Sequence, residues 1–175
     1  MWRRSAYREK GILLSALAIV LSLIGSWSPE AEAEMLSGPA GQLERAKEFS
    51  GHVGPYLTVG LRMGERALKK LGCERYSGMV IQMECVRKAP CCFLVDGLQL
   101  STGCTFGNRN ILFISSPRIR VSFTSTRTGE RVNCVLADGL RSMIEEWSKT
   151  WESDETAALL LYAVPSEFLL FKEAK

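Results

Sequence analysis

The chain has one histidine, His52, in 175 residues, and it has no C-x-x-C pair. Any imidazole chemistry must therefore use that single side chain, and neither a zinc ribbon nor a thioredoxin-type redox motif is available. Charge of one sign is also scarce: 22 Lys and Arg against 19 Asp and Glu leave a formal +3. Much of that excess sits before residue 11, so nothing points to nucleic acid as a partner. There is no internal repeat and no low-complexity tract. What remains is a chain long enough for one globular domain plus a short appendage, with 46% hydrophobic residues to build its core.

The appendage comes first. Arg3, Arg4, Arg8 and Lys10 precede an apolar run from Gly11 to Trp27, and Ala31-Glu32-Ala33 follows the Ser28-Pro29 break. A charged segment, an apolar segment and a small-x-small cleavage pattern in that order describe an export signal. Because the run is somewhat short of the ~20 residues a spanning helix prefers, an uncleaved membrane anchor is the second reading. In either case the body of the protein is expected outside the cytoplasm. Translation starting at Met35, with a cytoplasmic protein, is the third. The expected division is thus 1–34 as signal or anchor and 35–175 as the domain.

Within the domain, Gln42 to Phe49 reads as a short helix. The break at Gly51-His52-Val53-Gly54 leads to Pro55, which suits the first position of a helix because its missing N–H would have no partner there anyway. That helix is expected to run to Leu71 and to bury Leu57, Leu61, Gly64, Leu68 and Leu71, with Gly72 as its C-cap. Gly60 and Gly64 inside it imply a backbone passing close by, expected to be the sheet. Strands are read at 79–86, 110–115, 118–124 and 131–136, the last two joined by a turn at Thr128-Gly129-Glu130. Periodicity leaves Phe93 to Ser101 open between helix and strand, and helix is preferred. Asp138 caps a helix over 139–151 with Leu140, Met143, Ile144 and Trp147 inward. A further helix, 155–163, and a strand at 168–171 end the chain. Helices grouped around adjacent strands make the fold class α+β.

Chemistry-bearing residues concentrate between Cys91 and Asn110, where thiols, a carboxylate, hydroxyls, amides and three glycines share twenty positions. Two of the six cysteines here, Cys92 and Cys104, are candidate thiolate ligands that with His52 would form a zinc-type site with an open position. The competing reading is packing, since free cysteine is among the most buried residue types, or disulfides in an exported chain. Cys73, Cys85 and Cys134 are assigned to structure. Asp96 either orients the imidazole or caps the helix at Gly97. Gly103 to Asn110, with Arg109, is a candidate anion cradle against the alternative of an ordinary tight loop.

Two motifs in order, Gly51-His52-Val53-Gly54-Pro55-Tyr56 leading to Gly60-Leu61-Arg62-Met63-Gly64, then Asp96-Gly97-Leu98-Gln99 with Thr102-Gly103-Cys104-Thr105 and Asn110, resemble the FmdE family, which takes its name from formylmethanofuran dehydrogenase. The resemblance implies a two-layer core with a mixed sheet, a homodimer, a bound divalent metal such as zinc, and a link to one-carbon metabolism. Carried over by residue, it points to His52 and Cys104 as catalytic, to His52, Cys92 (or Cys91) and Cys104 as metal ligands, and to Asp96, Thr105 and Asn110 around a small-molecule ligand or substrate. Many members have a second histidine two positions before the first and a cysteine shortly after it; Ser50 and Gly54 stand at those places here. Two functions remain in view, a metal-dependent enzyme acting on a small polar substrate and a metal or small-molecule binding protein without turnover.

Overall fold

The computed structural model describes residues 38–136, 138–150, 153–165 and 169–173. By internal contacts the chain divides into Met1–Gly41 and Gln42–Lys175, and the fold is that of the second unit. The expected signal or anchor, and the boundary after residue 34, lie outside the described residues. Among the described residues no helix is long and apolar enough to cross a membrane.

In chain order the elements are α1 (Pro39–Ser50), α2 (Pro55–Leu71), β1 (Met79–Cys85), a single 3-10 turn at Cys91–Phe93, α3 (Leu94–Thr102), β2 (Ile111–Ser115), β3 (Arg120–Ser125), β4 (Arg131–Leu136), α4 (Asp138–Thr150), α5 (Asp154–Ala163) and β5 (Leu169–Glu173). The undecided stretch after Phe93 is helical. Of the expected last strand, residue 168 lies outside the described residues, as does Trp151 after α4.

The five strands form one mixed sheet in the order β2-β1-β3-β4-β5. β1 and β2 run parallel, with Ile81 opposite Ile111, and the other neighbours are antiparallel, with Met83 opposite Val121 and Val121 opposite Cys134. Alternation sends Met79, Ile81, Met83 and Cys85, then Val121 and Phe123, then Val132, Cys134 and Leu136 to one buried face. The helices cover that face, giving the two-layer α+β arrangement. On the other face the edge strand leaves Leu112 and Ile114 exposed.

At the centre is α2. Pro55 opens it after an extended Gly54, and Gly72 closes it at φ +57, its N–H bonded to the Leu68 carbonyl. Burial reaches almost all round it, including Thr58, Val59 and Met63, because α3 packs along one side, α5 along another and the sheet lies beneath. The close approach that Gly60 and Gly64 imply comes from α3 and not from the sheet. A Cβ on Gly60 would strike the Leu94 carbonyl, one on Gly64 would strike the Ser101 hydroxyl, and one on Gly97 would strike the Leu57 carbonyl. Two glycines facing each other let two helix backbones touch. On α4, Leu140 and Ile144 point inward as expected, but Met143 is 42% exposed. It is one residue from Ile144, and a helix turns by about 100° per residue, which carries it off the inner stripe.

Gly97→Ala is expected to cost about 3 kcal/mol because the new methyl meets backbone that cannot yield, whereas Gly72→Ala, with open space around a left-handed φ, should cost about 1 kcal/mol. Urea denaturation of the two variants checks the ranking.

Candidate functional site

The turn between α1 and α2 is built by glycines. Gly51, at φ +69, ends α1 by donating its N–H to the Lys47 carbonyl at 2.8 Å. Ser50 then donates its hydroxyl to Asp96 on α3 at 2.9 Å, tying the turn to the start of that helix. His52 follows, its side chain 39% exposed, with Nε2 3.6 Å from Asp154 Oδ2, too long for a hydrogen bond. Its ring lies 5.0 Å from the Phe93 ring at 43°. A Cβ at Gly54 would stand 2.8 Å from His52 Nε2, so the imidazole occupies the space a larger residue at position 54 would need.

His52 borders a cleft of about 370 Å³. The start of α2 contributes Pro55, Tyr56 and Leu57; the segment between β1 and α3 contributes Val86, Lys88, Pro90, Cys91 and Phe93; α4 adds Arg141, Ile144 and Glu145; and α5 adds Asp154. The walls are mainly apolar and the rim carries both signs of charge. Arg141 Nε donates to Glu145 Oε1 at 3.1 Å, one helical turn along. Burial pushes the Tyr56 phenol above its ordinary value, so it stays a neutral donor in the cleft wall.

The thiol beside this cleft is Cys91. It is buried, and burial raises its pKa; Cys85, at the end of β1, lies within hydrogen-bonding reach and is raised further for the same reason, while its Sγ meets the Val86 carbonyl at 3.1 Å. Cys92 is half-buried and does not line the cleft. Cys104 sits past the other end of α3. Its Sγ donates to the Met79 carbonyl at 3.5 Å, its N–H donates to Thr102 Oγ1 at 3.1 Å, and it is 2% exposed. A helix of nine residues is about 13 Å long, and that length stands between the His52 turn and Cys104.

The structure therefore brings Ser50, His52, Cys91 and Asp96 to one end of α3 and leaves Cys104, Thr105 and Asn110 at the other. The donor set His52, Cys92 and Cys104 is not assembled, and among the described residues no three His, Cys, Asp or Glu side chains are arranged to hold a metal ion. Thr105 and Asn110 close their own loop: Thr105 N–H donates to Asn110 Oδ1 at 2.7 Å and Asn108 N–H to Thr105 Oγ1 at 3.1 Å. Asp96 acts on the turn through Ser50 and not on the imidazole. Sequence reasoning missed Tyr56, Lys88, Arg141, Glu145 and Asp154. The Arg141/Glu145 spacing of four was visible, but nothing in one sequence says that α4 and α5 meet the His52 turn.

A family model described as "FmdE, Molybdenum formylmethanofuran dehydrogenase operon" matches residues 49–164. A "Probable S-adenosyl-L-methionine-binding protein" of Archaeoglobus fulgidus is 39% identical over 74 residues, taking in 41% of this chain; the chain spans about a fifth of that relative, the match covering 20% of it. The crystal structure of an FmdE-like protein of tungsten formylmethanofuran dehydrogenase from Syntrophus aciditrophicus superposes with a TM-score of 0.57 at 23% identity, covering 80% of this chain and 74% of that one. At that identity the likeness is one of fold.

Burial raises the pKa of Cys85, Cys91 and Cys104, and takes Cys134 to about 12. Since the thiolate is the nucleophile, native protein at pH 8 should be alkylated first at half-buried Cys73 and Cys92. The same shifts make stability pH-dependent. Above the unfolded thiol pKa, near 8.5, the unfolded chain loses protons the folded one keeps, so stability should fall as pH rises from 8 towards 11. Mass mapping of labelled thiols and urea melts at both pH values check this.

Proposed function

Because the chain belongs to the FmdE family, we propose that it binds a small zwitterionic ligand in the cleft at the start of α2, with no turnover required. The observation that carries this reading is the cleft itself. Its volume of about 370 Å³ suits a small molecule, and apolar walls with a few polar groups at the edge are the usual composition of such a site. Lys88 and Arg141 offer cations for a carboxylate, while Asp154 and Glu145 offer anions for an ammonium or sulfonium. Arg141 uses one N–H on Glu145 and has four more. His52, held between Phe93 and Asp154, can donate or accept at the mouth. The name of the Archaeoglobus fulgidus relative makes S-adenosyl-L-methionine the first ligand to test: it carries a carboxylate, two cationic centres and a flat purine in one molecule.

Metal-dependent chemistry of the kind the family name suggests has weaker support from this donor set. Cys91 and His52 are the thiol and the imidazole at the cleft, and no third donor converges with them among the described residues.

Calorimetric titration of the full chain with S-adenosyl-L-methionine should show saturable binding, weakened about ten-fold in Asp154→Asn and in Arg141→Ala, the usual loss for one charged hydrogen bond. Zinc content after purification should be the same in wild type and His52→Ala. No binding, or equal affinity in all three proteins, overturns the reading; loss of zinc in His52→Ala would instead favour a metal site.

A further inference from the structure

A second cavity, of about 230 Å³, opens between the β2–β3 turn and α4. Three arginines from three places in the chain line it: Arg118 from the turn, Arg120 from the first position of β3 and Arg141 from α4. Its floor is apolar, made by Ile119, Val135 and Leu136, and no acidic side chain lines it. Compensation from outside is thin. Arg120 reaches Glu84 only at 4.0 Å, and Arg141 is bonded to Glu145. Arg118 meets no carboxylate among the described residues. Three like charges around one small space repel each other, and an apolar floor lowers the local dielectric and strengthens that repulsion. An anion filling the space reverses the sign.

The turn that presents Arg118 is also braced before anything binds. Ser116 N–H donates to the Cys85 carbonyl at 3.0 Å, fixing the turn to the end of β1, and Arg118 N–H donates to Ser116 Oγ at 3.2 Å. Such a braced backbone reduces the ordering cost of binding. Guanidinium groups are planar forks that match phosphate oxygens two at a time. A ring of arginines on an apolar floor, lacking lysines and carboxylates, is suited to an oxyanion carrying at least two charges.

We propose that Arg118, Arg120 and Arg141 form a binding site for a phosphate or diphosphate group. The group comes either as the free anion or as part of an organic phosphate whose body lies towards the neighbouring cleft, which Arg141 also borders. The site does not rest on the zwitterion reading of that cleft, because Arg118 and Arg120 take no part in it.

The test is calorimetric titration of the full chain at low salt with inorganic pyrophosphate and, separately, with adenosine 5′-diphosphate. Wild type should bind pyrophosphate, more weakly as salt is raised. Arg118→Ala combined with Arg120→Ala should weaken binding by about a hundred-fold, roughly ten-fold for each charged hydrogen-bond donor lost. Arg118→Lys, which keeps the charge but loses the fork, should fall between. Arg131→Ala, on the neighbouring strand, should match wild type and so separates a local site from general charge. Equal affinity for the two ligands upholds a site for the free anion, and tighter adenosine 5′-diphosphate upholds an organic phosphate reaching the cleft. No pyrophosphate binding by wild type, or equal binding by the double variant, overturns the proposal. Titrating the double variant with S-adenosyl-L-methionine keeps the two sites apart, since the cleft should be unaffected.

Discussion

The contact on which the rest of this structure depends is the meeting of two helix backbones at Gly60 and Gly97. Without a Cβ on either side, α2 and α3 approach until one helix's carbonyls face the other's Cα atoms, and the surrounding side chains, among them Leu57, Leu61, Leu94 and Leu98, are driven to complete burial. This crossing sets the position of everything near it. The 3-10 turn with Cys91 and Phe93 lands beside the start of α2, and Ser101 and Thr102 fold their hydroxyls back onto Gly97 and Leu98 carbonyls, leaving neither hydroxyl hydrogen without a partner.

Two kinds of environment result at the two ends of α3. At the first, an open cleft keeps His52, Arg141, Glu145 and Asp154 in contact with water, and only its floor is dry. At the second, Gly103 closes the helix beneath the Tyr76 ring and Cys104 is sealed over β1. Burial then acts in one direction on the inward thiols, holding them protonated, so that their contribution is that of compact apolar groups. The chain's polar chemistry gathers where helix ends and turns meet, which is where backbone geometry leaves room for it.

Much of the architecture was legible in the residues. Pro55 and Gly72 mark α2 at both ends, strict alternation in Val121, Phe123 and Val132, Cys134 marks two strands, and Thr128-Gly129-Glu130 marks their turn, because each signal is local. The partner of Gly60 and Gly64 was not legible: a missing Cβ says that something comes close without saying what, and α3 and the sheet satisfied the pattern equally. For the site, His52 and the neighbouring cysteines were correctly drawn to one region, but spacing alone could not tell Cys91 from Cys92, which a single step of 3-10 rotation separates. Nor could it show that motif residues eight apart on a helix, such as Asp96 and Cys104, end up facing different surroundings. The charged rim of the cleft depends on α4 and α5 returning over the His52 turn, a tertiary fact with no local trace.

Gly54 and His52 share one volume, and this binds their evolutionary fates. A cysteine installed at position 54 while the imidazole keeps its present rotamer meets a steric conflict, and a changed rotamer without the cysteine abandons the Phe93 stacking for no gain. The two positions are therefore epistatic: each change is deleterious alone and tolerable only with the other. A lineage that has taken glycine here is held to it by a fitness valley, so the arrangement acts as a historical ratchet as well as a local packing solution.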